Sequence, residues 1–147
     1  MARLVLITFC FALSIAAAQQ APKPSLRERA LQGDPEAQFN LAKNYEAGRG
    51  KLKKDYTEAE RWYRRAAEQG DPFAQASLAL LFRFGKGVAQ DYVEAYKWFY
   101  LAASLTTGSD RDSIVELRDS TAARLTAEQI AEASQWARQW KPKPKSP

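Results

Sequence analysis

The sequence predicts an all-α protein, an α/α superhelical solenoid of two full repeats with capping helices on either side. Three observations support this fold class. A block of 36 to 37 residues occurs twice, and helix-capping residues stand at matching places in both copies. Apolar residues within each predicted helix also follow the spacing of one helix face. The 147 residues are enough for one domain and too few for two comfortable ones.

The repeat begins at a Gly-Asp-Pro tripeptide, at Gly33–Pro35 and again, 37 residues later, at Gly70–Pro72. The offset drops to 36 in the second half of the block, because four residues separate Gly50 from the next Asp and only three follow Gly87. A length change in a glycine-containing loop is well tolerated, since such loops lie on the surface. The predicted repeats span residues 33–69 and 70–105.

Each repeat predicts two helices with defined ends. Asp34 and Asp71 suit N-cap positions, and the proline after each fits the first helical turn, where its missing N–H is harmless. Asp55 and Asp91 suit the N-caps of the second helices. Gly48 and Gly85 are expected to end the first helices, and Gly70 the second helix of the first repeat. Trp62 and Trp98 fall on the apolar stripes of the second helices, so we expect both indoles in the core.

Further helices are predicted on both sides of the repeats. Ser25 and Glu28 form a capping-box pattern for one short helix before the first repeat. After the second repeat we expect a terminal helix pair over residues 110–140, with its first helix from about residue 110 to 124. A second capping box at Thr126 opens the last helix. The predicted organisation is a repeat domain over 25–140 followed by a basic, proline-rich tail over 141–147.

Residues 1–18 have the layout of a secretory signal peptide. Arg3 supplies a positive charge, Leu4 to Ile15 form an apolar run, and three alanines precede Gln19. The apolar stretch is shorter than the about 20 residues that a spanning helix needs. We therefore expect a periplasmic or secreted product with residues 19–24 as a linker and with no stable membrane span after cleavage. Cleavage also removes Cys10, the chain's one cysteine.

The composition excludes several classes of enzyme. The chain has no histidine, which removes a Ser-His-Asp triad, a Cys-His dyad and a His-ligated zinc site. No phosphate-binding loop is present, and the Gly48-x-Gly50 and Gly85-x-Gly87 pairs follow helices rather than strands. We expect no enzymatic activity, no cofactor and no metal. The net charge of +5 lies mostly in Arg3 and the tail lysines, so a nucleic-acid-binding face is not expected.

At these positions the sequence resembles the Sel1-like repeat family, which is related to tetratricopeptide repeats. The matching residues are Ala37, Leu41, Tyr45, Gly48, Gly50, Asp55, Ala59, Trp62, Tyr63, Ala66, Ala67 and Gly70, then Ala74, Leu78, Phe82, Gly85, Gly87, Val88, Asp91, Ala95, Trp98, Phe99, Ala102 and Ala103. Phe82 and Lys51 depart from the usual pattern. The resemblance implies a superhelical adaptor or scaffold for other proteins. Its secreted bacterial members look like envelope assembly factors, signalling regulators or host-interaction proteins.

The first helices of such repeats line the concave surface, so their residues off the packing stripe are candidates for partner binding. The candidate site is Phe39, Lys43, Phe73, Ala76, Leu80 and Arg83. Phe39, Phe73 and Leu80 are large and apolar where a solvent face is usually polar. They predict an aromatic-lined groove with basic residues at its rim, suited to an apolar peptide or helix with acidic flanks. The alternative is that flanking helices cover these side chains.

The functional prediction is a non-enzymatic adaptor or scaffold in the bacterial cell envelope, with a protein partner on the concave face. The alternative is a peptidoglycan- or polysaccharide-associated envelope protein. Basic residues around the first glycine loop alternate with glutamates, which favours a solvated, ion-paired face. Lys141, Lys143 and Lys145 form either a solubilising tail or a weak site for anionic envelope polymers.

Overall fold

The computed structural model describes residues 22–145, and these form a solenoid of seven helices without β-strands. The predicted signal peptide, residues 1–18, lies outside the described residues. The helices are α1 (Leu26–Leu31), α2 (Pro35–Ala47), α3 (Tyr56–Glu68), α4 (Pro72–Phe84), α5 (Tyr92–Leu105), α6 (Gly108–Ala122) and α7 (Ala127–Gln139). Within residues 22–145, none of them has the length and apolar character needed to span a membrane. The predicted all-α solenoid is confirmed.

Helix packing follows the order of the chain. The pairs α2–α3 and α4–α5 form the two repeats, and α3 packs on α4 to join them. The first end is covered by α1, which packs on α2. At the other end both α6 and α7 pack on α5, so the terminal pair caps the solenoid.

The predicted caps are present at the start of each repeat helix. The Asp34 carboxylate accepts hydrogen bonds from the backbone N–H groups of Glu36 and Ala37, and Asp71 accepts one from Ala74. The helices that follow end at Gly48 and Gly85, as predicted, both in the left-handed region. Capping boxes open α1 and α7 as the sequence predicts. The helix α6 starts at residue 108, two residues before its predicted start, and has no side-chain cap at its N-terminus.

The two equivalent N-cap aspartates have opposite electrostatic environments. The Arg29 guanidinium donates to Asp34 at 2.6 and 2.9 Å, and this hydrogen bonding lowers the pKa of the Asp34 carboxyl. Asp71 has no such partner among the described residues, and burial raises the pKa of its carboxyl. The same cap therefore favours the carboxylate in the first repeat and disfavours it in the second.

The core consists of alanines where helices cross and of aromatic rings beside them. Eleven alanines are 1% exposed or less: Ala30, Ala37, Ala42, Ala59, Ala66, Ala67, Ala74, Ala79, Ala95 and Ala102 at helix contacts, with Ala133 on α7. Such small side chains allow close approach of the backbones. Trp62 is 7% and Trp98 3% exposed, which confirms both as core residues. The Trp98 ring meets Trp136 and Trp140 edge-on at centroid distances of 5.7 and 6.4 Å.

Two buried glutamines mark the junctions between successive units. The Gln38 side chain donates to the Ala30 carbonyl at 3.0 Å and accepts from Gln69 at 2.7 Å. Its repeat equivalent, Gln75, donates to the Ala67 carbonyl at 3.1 Å, but its buried Oε1 has no partner within residues 22–145. Gln69 supplies the donor for Gln38 in the first repeat, whereas the equivalent residue of the second repeat is Leu105, whose side chain cannot donate.

The second glycine loop lies directly on the first repeat. A Cβ atom on Gly87 would overlap the backbone carbonyl group of Tyr56 and would lie 2.8 Å from the Thr57 nitrogen. Gly50, the equivalent residue of the first repeat, has open space at the same position. The close approach therefore depends on a preceding repeat, which Gly87 has and Gly50 lacks.

The basic residues of α3 form the ion-paired face that the sequence predicts. Arg61 contacts Glu58 at 2.6 Å, and Arg64 contacts Glu60 at the same distance. The Arg65 guanidinium lies 4.6 Å from the Trp62 ring centroid.

Candidate partner-binding groove

Two phenylalanines from neighbouring first helices form the floor of a groove. Phe39 lies on α2 and Phe73 on α4, with ring centroids 6.3 Å apart. The half-buried Phe39 ring also packs on Tyr63, at 5.8 Å. Phe73 remains 47% exposed, although burying a Phe side chain is favourable by about 1.5–3 kcal/mol. This apolar surface is available for a partner.

An apolar depression of about 220 Å³ lies at one end of this floor. Its walls come from α2, α4 and α6, and the lining residues are Phe39, Phe73, Ala76, Ser77, Leu80, Asp110, Ser113 and Ile114. Ile114 is buried and Leu80 is half-buried, so α6 covers part of the apolar surface and leaves Phe73 open. The alternative in which flanking helices cover these side chains thus applies only in part.

A more polar depression of about 370 Å³ continues from the other side of Phe39. It is lined by Phe39, Lys43, Glu46, Ala47, Arg49, Tyr63 and Ser77. Because Phe39 and Ser77 belong to both depressions, the two form one continuous surface, which we call the α2–α4 groove. The Lys43 ammonium lies 5.3 Å from the Phe39 ring centroid, so a cation stands beside the aromatic floor.

Tyr63 fixes the one carboxylate at the polar end of the α2–α4 groove. Its hydroxyl donates to Glu46 Oε2 at 2.6 Å. Burial, and then the hydrogen bond to Glu46, raise the pKa of Tyr63, so the phenol stays protonated and remains a donor. Lys43 and Arg49 are exposed at the same end. An approaching partner therefore meets two basic side chains beside a carboxylate that already accepts a strong hydrogen bond.

The structure places five of the six candidate residues in the α2–α4 groove. These are Phe39, Lys43, Phe73, Ala76 and Leu80. Arg83 is directed elsewhere, because its Nη1 donates to the Leu117 carbonyl at 3.1 Å and to the hydroxyls of Ser120 and Thr121 at 2.8 and 3.2 Å. The guanidinium thus ties α4 to α6, and the exposed cations at the rim are Lys43 and Arg49.

The residues that sequence reasoning missed come mainly from α6. Asp110, Ser113 and Ile114 line the apolar depression, although the terminal helix pair has no repeat pattern from which to infer its placement. Ser77 was detectable in principle, since it lies one helical turn after Phe73 on the same face. Tyr63 is a core residue, 1% exposed, as the packing stripe of the second helix predicts, and its hydroxyl also bonds Glu46 at the polar end of the groove.

The chemistry of the α2–α4 groove suits binding. It offers aromatic and aliphatic surface, two cations and two carboxylates, of which Glu46 is engaged by Tyr63 and Asp110 lies beside the apolar depression. Across residues 22–145, no cluster of three or more His, Cys, Asp or Glu side chains is placed to hold a metal ion.

Both copies of the repeated segment match a known family. The Sel1 repeat profile matches residues 35–71 and 72–106, two segments that correspond to the repeats predicted at 33–69 and 70–105. None of the curated proteins matches this sequence.

The solved structures that are similar to this chain include two proteins of known source. One is a protective antigen present in uropathogenic Escherichia coli strains, which displays an SLR fold; it is 36% identical with a TM-score of 0.69 over 78% of this chain. The alignment covers 24% of that antigen, so this chain spans about a quarter of its length. The other is a Sel1 repeat protein from Oxalobacter formigenes, 29% identical with a TM-score of 0.52, covering 76% of this chain and 96% of that one.

Proposed function

Since the chain belongs to the Sel1 repeat family, we propose that it is a non-catalytic adaptor whose α2–α4 groove binds a peptide or helix of a partner protein. Sel1 repeats are generally protein-interaction modules. The observation that supports a partner at this place is Phe73, a large apolar side chain that stays 47% exposed beside the Phe39 ring. Aromatic side chains in a central pocket are common sites of strong binding energy.

The charges around the groove indicate the kind of partner. Lys43 and Arg49 are exposed at the polar end, whereas Asp110 lies beside the apolar depression. The preferred ligand is therefore an amphipathic segment with an apolar face and acidic residues near the Lys43 end. Its apolar side chains would fill the depression between Phe73, Leu80 and Ile114.

The proposed location is the cell envelope, in the periplasm or outside the cell. It rests on the pattern of residues 1–18, and Arg3 with the apolar run after it supports export. Cell fractionation of the tagged chain tests it. Recovery in the cytosol, with residues 1–18 still attached, would refute the proposed location while leaving the groove proposal intact.

The binding experiment compares two exposed phenylalanines. Crosslinking of the tagged chain in native envelopes identifies the partner, and its affinity is then measured for wild type, Phe73→Glu and Phe84→Glu. Phe84 is a matched control because it is 57% exposed on the same helix but does not line the groove. We expect Phe73→Glu to weaken binding at least about 30-fold, the equivalent of 2 kcal/mol for a central aromatic residue. Phe84→Glu should leave the affinity unchanged.

Equal effects of the two substitutions, or no effect of Phe73→Glu on a partner that binds wild type, would refute the proposed site. The alternative, binding of a cell-wall polysaccharide, is tested on purified polymer without other proteins. Retention on polymer that is lost in Phe73→Glu would assign the same groove to a carbohydrate ligand instead.

A further inference from the structure

The C-terminal tail does not extend away from the solenoid. Trp140 meets the Trp98 ring edge-on at 6.4 Å, and Pro142 lies against Gly70, 3.5 Å from where a Cβ would stand. The Lys143 backbone N–H donates to the Glu68 carbonyl at 2.7 Å, and its ammonium lies 3.0 Å from Glu68 Oε2. The tail is therefore held against the solenoid by an apolar contact, a backbone hydrogen bond and an ion pair.

The tail forms part of the wall of two depressions, which lie at equivalent places in the two repeats. One, of about 290 Å³, is lined by Gln69, Gly70, Leu101, Ser104, Leu105, Ala137, Trp140 and Pro142. The other, of about 280 Å³, is lined by Ala30, Leu31, Gln38, Arg65, Glu68, Gln69, Lys143 and Pro144. A shift of 36 residues converts Arg65, Glu68 and Gln69 into Leu101, Ser104 and Leu105. We call the two depressions together the edge groove.

The chemistry of the edge groove matches a cationic extended peptide. Glu68 is the last residue of α3, so its carbonyl has no donor within its own helix and can accept from a peptide N–H. The negative end of the helix dipole and the Glu68 carboxylate both favour a lysine at this place. Prolines on either side of that lysine restrict the peptide to extended conformations and reduce the entropy that binding must remove.

We propose that the edge groove is a binding site for extended Lys-Pro peptides and that residues 141–145 of this chain are its resident ligand. The site is separate from the α2–α4 groove, since no residue lines both. It also gives Lys143 a role distinct from contact with anionic polymers, because its charge faces Glu68. A Lys-Pro segment of another protein binds here once it displaces the tail.

Amide hydrogen exchange on the unaltered chain tests whether the tail is docked. Lys143 and Lys145 both follow a proline, so their intrinsic exchange rates are closely matched. Of these two lysines, only Lys143 has a backbone N–H that donates to another backbone group within residues 22–145. We expect its exchange to be at least ten-fold slower than that of Lys145. Equal rates would overturn the proposal.

A peptide added in trans tests the specificity of the site. The probe is the peptide Lys141–Pro147, added to a chain that ends at Trp140 and to the full chain with Lys143→Glu, which frees the tail without shortening it. Both should bind the peptide at least ten-fold more tightly than the unaltered chain does, because their edge groove is open.

A second substitution identifies the lysine contact. In the chain that ends at Trp140, Glu68→Gln should weaken peptide binding at least five-fold, while Glu58→Gln should not change it, because Glu58 pairs with Arg61 elsewhere on α3. Equal effects of the two substitutions, or no peptide binding to either freed chain at millimolar concentration, would overturn the proposal.

Discussion

Substituting Gly87 with alanine should destabilise the protein far more than the same substitution at Gly50. Both glycines have a positive φ, of 71° and 68°, so alanine pays the same left-handed strain at either site, about 1–2 kcal/mol. At Gly87 the new Cβ also overlaps the backbone of Tyr56 and Thr57, which cannot rotate away as a side chain can. Overpacking of this kind adds about 1–3 kcal/mol.

The expected loss in the free energy of unfolding is therefore about 2–5 kcal/mol for Gly87→Ala and about 1–2 kcal/mol for Gly50→Ala. For a domain of this size, 1 kcal/mol corresponds to about 4 °C in Tm. Thermal melts followed by circular dichroism at 222 nm should place Gly87→Ala about 4–12 °C below Gly50→Ala. Equal Tm values for the two variants would show that the second glycine loop does not lie on the first repeat as described.

Four further predictions concern stability. Asp34→Asn should lower Tm more at pH 7 than at about pH 3, because a lowered carboxyl pKa contributes stability that is lost as pH falls through the folded value. Asp71→Asn should keep or raise Tm at pH 7, since its raised pKa means that ionisation opposes folding above that value; the same melts at both pH values check the two signs. Leu105→Gln should raise Tm by about 2–6 °C by supplying the donor that the buried Gln75 Oε1 lacks, and a loss of stability would contradict the repeat equivalence. Arg83→Met should cost about 1–3 kcal/mol and speed amide exchange in α6, whereas unchanged exchange there would refute the bridging role of the guanidinium.

Two surfaces of the solenoid are thus proposed for different ligands. The α2–α4 groove presents Phe73 and exposed cations, which suits an apolar segment with acidic flanks. The edge groove presents Glu68 and a helix C-terminus, which suits a cationic extended segment. Because the two charge preferences are opposite, one ligand chemistry does not serve both surfaces.

The repeat helices were predictable because their ends depend on neighbouring residues. Asp34 and Asp71 bond N–H groups two or three residues ahead, and Gly48 and Gly85 end helices through their own backbone conformation. The prediction of where α6 starts was less accurate, because that helix begins at Gly108 and has no side-chain cap to mark its start. The part of the groove that lies on the first helices of the two repeats was predictable, because those helices follow the repeat pattern.

The sequence by itself determined the helices, the repeat and the apolar stripe of the first helices, since all three arise from spacings of a few residues or from copying a unit. Tertiary structure alone decided that Arg83 bonds α6, that Ile114 walls the groove and that Lys143 lies on Glu68. Each of these contacts joins segments more than 30 residues apart in the sequence. No local pattern encodes them, because they form only when packed helices bring distant segments together.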